Sequence, residues 1–290
     1  MIMKLRSIFF VFIVITFFSC KKESSNDDGN TVAASTILNA AYGSDPLQKM
    51  DVYLPADRSI ATTKVIVLIH GGAYFSEDKA DFTKYVDTIK RRLPTYAIFN
   101  INYRLYTPPL NTFPAQELDV KAAVEYIAAK SAEYLIGNKF VLMGASAGAH
   151  LALLQAYKNN SPVKVNAVVD FFGPTDIKDL YDNPGIIPSA DIAAVVGGTP
   201  ASNPDIYQQS SPVNFVSAAS ACPTIILQGS ADPLISAQRQ SAALRDKLQI
   251  AGVPVQYVLY AGKGHGDDWD NANFKDAFDN IQSFLTTYNQ

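Results

Sequence analysis

Residues 139–157 read KFVLMGASAGAHLALLQAY. The opening KFVLM is a short apolar run of the kind that forms a strand buried on both faces, and the closing AHLALLQAY has the character of a helix. Between them lies Gly144-Ala145-Ser146-Ala147-Gly148. Strand, GxSxG and helix in that order put a serine on a turn too tight for side chains at the flanking glycines. Its Oγ then projects above the end of the strand, and the Ala147 N–H points into the same space. GxSxG alone is common in a chain containing glycine and serine; the strand before and the helix after give it meaning. The plainer alternative is a tight turn with a structural serine.

Outward from this turn the same alternation recurs. Lys64–Ile69 (KVIVLI) is a continuous β-branched run, and similar runs occupy residues 96–102, 165–172, 223–227 and 255–260. Helical spacing appears over residues 113–135 through Leu118, Ala122, Val124, Tyr126 and Ile127, and over 236–250 through Ala242, Leu244 and Leu248. Residues 274–288 carry Phe274, Phe278, Ile281 and Leu285 as one apolar stripe. Residues 39–54 read as two antiparallel strands leading in. Alternating strands and helices predict an α/β fold, a mostly parallel central sheet with helices on both faces. Residues 181–216 break the rhythm with five prolines and read as a small cap excursion rather than a domain.

Composition narrows the partners. The 290 residues carry 24 basic and 27 acidic side chains, a net charge of −3, which gives no footprint for nucleic acid. With 48% hydrophobic and 18% charged residues the chain is an ordinary globular one. Its length suits one large α/β domain or two small ones. Cys20 and Cys222 are the two cysteines, so neither a disulfide framework nor a Cys-rich zinc site is available. The three histidines, His70, His150 and His265, sit in unrelated motifs, and neither a metal nor a cofactor is expected. Cys222, before Pro223 and an apolar run, reads as a small buried hydrophobe.

The N-terminus reads as an address. Lys4 and Arg6 precede a short apolar run over residues 8–18, then Ser19 and Cys20. The run is short for a membrane span. A small residue before cysteine at its end resembles a bacterial lipoprotein signal, although Phe17 and Phe18 depart from the usual residues there. The resemblance implies residues 1–20 as signal peptide, Cys20 as the lipidated first residue of the mature chain, and attachment to the cell envelope by that lipid alone. Residues 21–34 (KKESSNDDGNTVAA) are too polar to bury themselves and read as a tether. The folded domain is expected over residues 35–290.

A serine hydroxyl is a weak nucleophile without a base. His70 opens His70-Gly71-Gly72-Ala73-Tyr74 at the end of KVIVLI, and His150 lies four residues past Ser146 on a helix expected to face away from the serine's working side. His150 is read as a locally hydrogen-bonded helix histidine. His265, in AGKGHG after the run 255–260, is the remaining base. A base needs an anion to fix its tautomer. Asp232, in GSADP after PTIILQ, sits at a strand end between the serine and the histidine in chain order; the rivals are Asp170, Asp176, Asp267 and Asp268. Backbone N–H groups of Gly72, Ala73 and Ala147 are candidates for an oxyanion hole.

Taken together, HGGAY, NYRL, GASAGAHLA, GSADPLI and GKGHG resemble the α/β-hydrolase superfamily, most closely its hormone-sensitive-lipase-like and bifunctional feruloyl and acetyl xylan esterase-like members. The resemblance spans roughly residues 49–289 and implies an α/β-hydrolase fold with a Ser146, Asp232, His265 triad and an oxyanion hole of Gly72, Ala73 and Ala147. The implied activity is serine esterase chemistry on a small ester or acylated saccharide, such as acetyl or feruloyl esters on carbohydrate. GxSAGAH also resembles kynurenine formamidases, which leaves an arylformamidase or small-peptide hydrolase as the alternative. A non-catalytic binding protein of this fold fits poorly with an intact serine, histidine, aspartate and HGG turn.

Overall fold

The computed structural model describes residues 32–160 and 162–290. The expected signal segment, Cys20 and most of the tether lie outside the described residues. At the other end of the tether, Val32 O accepts from Asp57 N and Ala33 O from Arg58, so the chain is already held before the first strand.

Eight strands form one sheet: β1 (Ser35–Ala41), β2 (Lys49–Leu54), β3 (Lys64–Ile69), β4 (Tyr96–Ile101), β5 (Phe140–Ala145), β6 (Val165–Phe171), β7 (Thr224–Gly229) and β8 (Val255–Tyr260). Their spatial order is β1-β2-β4-β3-β5-β6-β7-β8. β2 runs antiparallel to β1 and β4, and all other pairings are parallel. This is the α/β-hydrolase architecture. The order reverses at β3, which pairs with β4 on one side and β5 on the other. Ligands of open α/β sheets bind beyond the strand C-termini at such a switch point. HGGA follows β3 and Ser146 follows β5, so both motifs arrive there.

The unbroken KVIVLI run is explained by the two faces it must cover. Val65, Val67 and Ile69 enter one core, with Val124 and Leu154; Ile66 and Leu68 enter the other, with Val86 and Ile281. Each such buried side chain contributes roughly 1.5–3 kcal/mol. The first face is covered by α2 (Ala115–Ala129), α4 (Ala147–Tyr157) and α8 (Ala243–Ile250), the second by α1 (Ala80–Arg92) and α9 (Asn271–Tyr288). Cys222 is buried in the first core, where burial pushes its thiol up to about 12.

Several expectations need correction. α1 is not among the helices read from the sequence, although Phe82, Val86 and Ile89 form its buried stripe. Leu118, expected on the inner face of α2, is 53% exposed. The buried face instead carries Asp119, whose carboxylate is taken by Arg104 (Nη2–Oδ1 2.7 Å) and by Gln48 Nε2 at 2.7 Å. Satisfying that charge lets a polar residue occupy a core position. The stretch 113–135 is broken at Lys130 into α2 and the short α3 (Ser131–Tyr134), and 236–250 opens with a wide turn over Ala237–Ala242 before α8. The cap comprises α5 (Ile177–Asp182), α6 (Ser189–Val196), α7 (Pro204–Gln209) and a 3₁₀ turn. It has a small core of its own around Leu180, Ile192 and Tyr207.

Candidate active site

The site is built at three places, on the ends of four strands. At the first, β5 stops at Ala145 and α4 begins at Ala147, which forces Ser146 into φ 54°, ψ −121°. A non-glycine residue held in such a sparsely populated region costs about 1–3 kcal/mol. The turn is over-determined: Ser146 N donates to Phe171 O at 2.8 Å, and a Cβ on Gly148 would meet Ile69 O at 2.1 Å. The glycine is therefore what lets α4 approach β3. As the first residue of α4, Ala147 has an N–H with no partner within the helix.

At the second place, His70 follows β3. It is buried, with its ring stacked on Tyr103 at 4.3 Å and 7°, and burial lowers its pKa to about 4. Tyr103 Oη donates to Gly71 O at 2.6 Å, which pins the turn from the loop after β4. Gly72, Ala73 and Tyr74 then take three successive left-handed conformations (φ 83°, 50° and 73°), and a Cβ on Gly72 would meet Ser76 O at 2.0 Å.

His150 differs from its expected place. Every residue of α4 is buried, so the helix has no outward face, and a residue four past Ser146 lies one turn along the same side. His150 lines a cavity beside Ser146, and its bonds are long-range rather than local. Burial lowers its pKa to about 4, so the ring is neutral. Its Nε2–H donates to Ser210 O at 2.6 Å, and Nδ1 accepts from Tyr74 Oη at 2.9 Å. With one nitrogen donating to a carbonyl and the other accepting from the turn after β3, the ring has none to spare for a proton from serine.

At the third place, loops after β7 and β8 meet. His265 Nδ1–H donates to Asp232 Oδ2 at 2.7 Å, which leaves Nε2 as the free acceptor. Asp232 Oδ1 accepts from Leu234 N (2.8 Å) and Ile235 N (2.9 Å), and Oδ2 also accepts from Gln228 Nε2 at 2.9 Å. Burial opposes ionisation of Asp232, but His265 and these N–H groups outweigh it and hold the carboxyl below its ordinary value. Phe172 packs on the His265 ring at 4.5 Å. Trp269 packs rather than facing solvent: it is 5% exposed, and its Nε1–H donates to Gly264 O at 3.1 Å. Three of the four rival carboxylates are otherwise engaged, and the fourth, Asp267, lines a cleft beside Ser146. Asp268 accepts from Gly264 N, Asp176 caps α5, and Asp170 is fully buried with Oδ1 on Gly173 N at 2.8 Å.

The BD-FAE family model matches residues 50–248, a stretch containing the HGGA turn, the serine elbow and Asp232. The chain belongs to the BD-FAE family. It is similar to Esterase LipC (27% identity; 78% of this chain, 59% of that protein) and to the probable carboxylic ester hydrolase LipM (30%; 76% and 53%), both of Mycobacterium tuberculosis. It thus spans little more than half the length of those two proteins. Among solved structures it is similar to a truncated carbohydrate esterase from gut microbiota, with a TM-score of 0.73, 26% identity, and coverage of 88% of this chain and 98% of that one.

In this BD-FAE chain two spaces meet at Ser146. One is a cavity of about 60 Å³ walled by Phe113, Ile177, Ile192, Val195 and Ile235, with Ala147 and His150 also in its lining. The other is a cleft of about 450 Å³ holding His265, Gly72, Phe172 and Tyr85. Ser146 and Ala73 line both, Ala147 lines the cavity, Gly72 and His265 line the cleft, and Asp232 joins the group through its bond to His265. Sequence reading missed Tyr103 and Phe172, just past the ends of β4 and β6, and Gln228 within β7, none of which carries a local motif, and it misjudged His150. The Tyr74–His150 link was detectable only as a tyrosine ending HGGAY and a histidine ending GASAGAH.

Proposed function

We propose that this protein is a serine carboxylic-ester hydrolase that removes a short acyl group from a larger, hydroxylated alcohol, an acylated saccharide above all. Ser146 Oγ attacks the ester carbonyl while His265 Nε2 takes its proton, with Asp232 stabilising the imidazolium. The tetrahedral oxyanion is met by N–H groups from Gly72, Ala73 and Ala147, each worth about 3 kcal/mol of barrier. His265 then protonates the departing alcohol, and water repeats the sequence on the acyl-enzyme.

The partition of space at Ser146 carries the reading. His265 must reach the leaving oxygen, so the alcohol belongs in the cleft that contains His265 and the acyl group in the cavity that does not. A cavity of about 60 Å³ has room for on the order of four or five waters, a chain of roughly two to four carbons and not a feruloyl ring. The larger cleft takes the alcohol. The esterase relatives and the likeness to a carbohydrate esterase support the same chemistry. The charged n-region, short apolar run and Cys20 support export and lipid anchoring in a bacterial envelope, where polymer fragments are met before uptake.

The test is a substrate panel on the purified domain: 4-nitrophenyl esters from acetate to octanoate, acetylated xylo-oligosaccharide, a feruloyl ester and N-formylkynurenine. The expected result is kcat/KM falling at least tenfold beyond butyrate, with the acetylated oligosaccharide cleaved and the feruloyl ester not. Preference for N-formylkynurenine would instead establish the formamidase alternative, and turnover of none would exclude catalysis.

A further inference from the structure

The leaving-group cleft contains an anion that the triad chemistry does not use. A Cβ placed on Gly71 would lie 3.1 Å from Glu77 Oε2 and 3.4 Å from Ser146 Cβ, so carboxylate and serine flank the same point. Glu77 sits at φ 69°, a left-handed conformation that glutamate rarely adopts, on the loop that follows the HGGA turn. Partial burial and then Asp81 raise its pKa, opposed by His265, which is thereby marked as a neighbour, by a hydrogen bond from the Gly71 N–H and by Lys84. A negative charge here works against the oxyanion that the surrounding N–H groups stabilise. The Glu77 side chain stands exposed in the cleft beside Ser146, where an alcohol bound there meets it. The walls fit this: Tyr85, Phe172 and Phe274 offer apolar faces, while Glu77, Asp81 and Asp267 outnumber the one basic residue, Lys84.

We propose that Glu77 selects the alcohol half of the substrate: its carboxylate accepts a hydrogen bond from a hydroxyl neighbouring the ester and repels alcohols that carry an anion. This rests on the esterase reading above and narrows its substrate class to esters of neutral, polyhydroxylated alcohols. An O–H bond to a carboxylate is about twice as strong as one between neutral groups. Asp81 is less suited to the role, because its Oδ2 already accepts from Asp78 N at 3.1 Å.

The experiment compares wild type and Glu77→Gln on three acetates: mono-acetylated methyl xyloside, phenyl acetate and mono-acetylated methyl glucuronide. The wild type should prefer the xyloside to the glucuronide. In the variant, the xyloside to phenyl acetate ratio of kcat/KM should fall about 10- to 100-fold, mainly through KM, as expected for losing a hydrogen bond to a charged group. The glucuronide to xyloside ratio should rise at least tenfold. Ratios that stay within threefold of wild type, while wild type cleaves the esters well, would overturn the role of Glu77 and leave the esterase reading standing. A wild type that cleaves none of the three would overturn both.

Discussion

Replacing Asp170 with asparagine should stabilise the protein increasingly as pH rises from acid to neutral. Asp170 lies on β6 at zero exposure; Oδ1 accepts from Gly173 N at 2.8 Å, and Oδ2 has no partner among the described residues. Burial raises its carboxyl from 3.8 to about 7. Below about pH 4 the folded and unfolded chains both hold the proton, and the stability of the fold is undiminished. Between about pH 4 and 7 the unfolded chain releases it and the folded chain does not, so stability is lost as pH rises through the folded value. Above about pH 7 both are ionised and the loss is complete. At about 1.4 kcal/mol per tenfold in proton affinity, the displacement amounts to on the order of 4 kcal/mol. Asparagine keeps the Gly173 contact and does not titrate; its amide at the unpartnered position costs roughly 1–3 kcal/mol at every pH. Urea unfolding at pH 4.5, 6, 7 and 8 should show the D170N variant gaining several kcal/mol relative to wild type across the series. Turnover should persist, because Asp232 rather than Asp170 holds the His265 ring. Parallel stability curves would refute the buried-acid argument, and a thousandfold loss of turnover in the folded variant would move the acid of the triad to Asp170.

The other expectations concern the elbow, the turn after β3 and the N-terminus. Gly148→Ala brings a methyl to 2.1 Å from Ile69 O, which the backbone relieves only by shifting α4; a cost of about 3 kcal/mol predicts a thermal midpoint lower by roughly 6–12 °C. An unchanged midpoint would contradict the close approach. Tyr74→Phe removes the hydroxyl that ties two left-handed residues to His150, and should lower kcat about tenfold or more with KM within about twofold. A rise in KM at constant kcat would mean that Tyr74 binds substrate rather than holding the oxyanion donors. Wild-type protein expressed in bacteria should fractionate with membranes through two or more acyl chains, whereas Cys20→Ala should not; soluble wild type with another mature N-terminus would remove the anchor.

Much of this was legible because the fold's demands fall on contiguous residues. A strand buried on both faces must be largely apolar, so KVIVLI and YAIFNI announced themselves, and GxSxG stated its own geometry. α1 was harder to see: Phe82, Val86 and Ile89 are its three buried apolar residues in a mostly polar run that covers part of one face of the sheet. α2 misled for the opposite reason, since a buried Asp119–Arg104 pair is indistinguishable by pattern from a solvated one. The site divides in the same way. Ser146, Asp232 and His265 each follow a strand and carry glycine-rich surroundings. Tyr103 and Phe172 act across the molecule, and only tertiary contact reveals them; Gln228 acts on Asp232 four residues on, without a motif to mark it. His150 was misread because the wholly buried, mostly apolar α4 gives no periodic signal to show which side faces the site.

The central claim is that Ser146, activated by His265, forms the acyl-enzyme. The most direct measurement is inactivation by an organophosphate ester followed by mass spectrometry of the digested protein. The account predicts stoichiometric loss of esterase activity, one adduct mapped to Ser146, and labelling slowed at least a thousandfold in the folded His265→Ala variant. An adduct on another residue accompanying the loss of activity, or labelling of Ser146 that proceeds at the wild-type rate without His265, would contradict it.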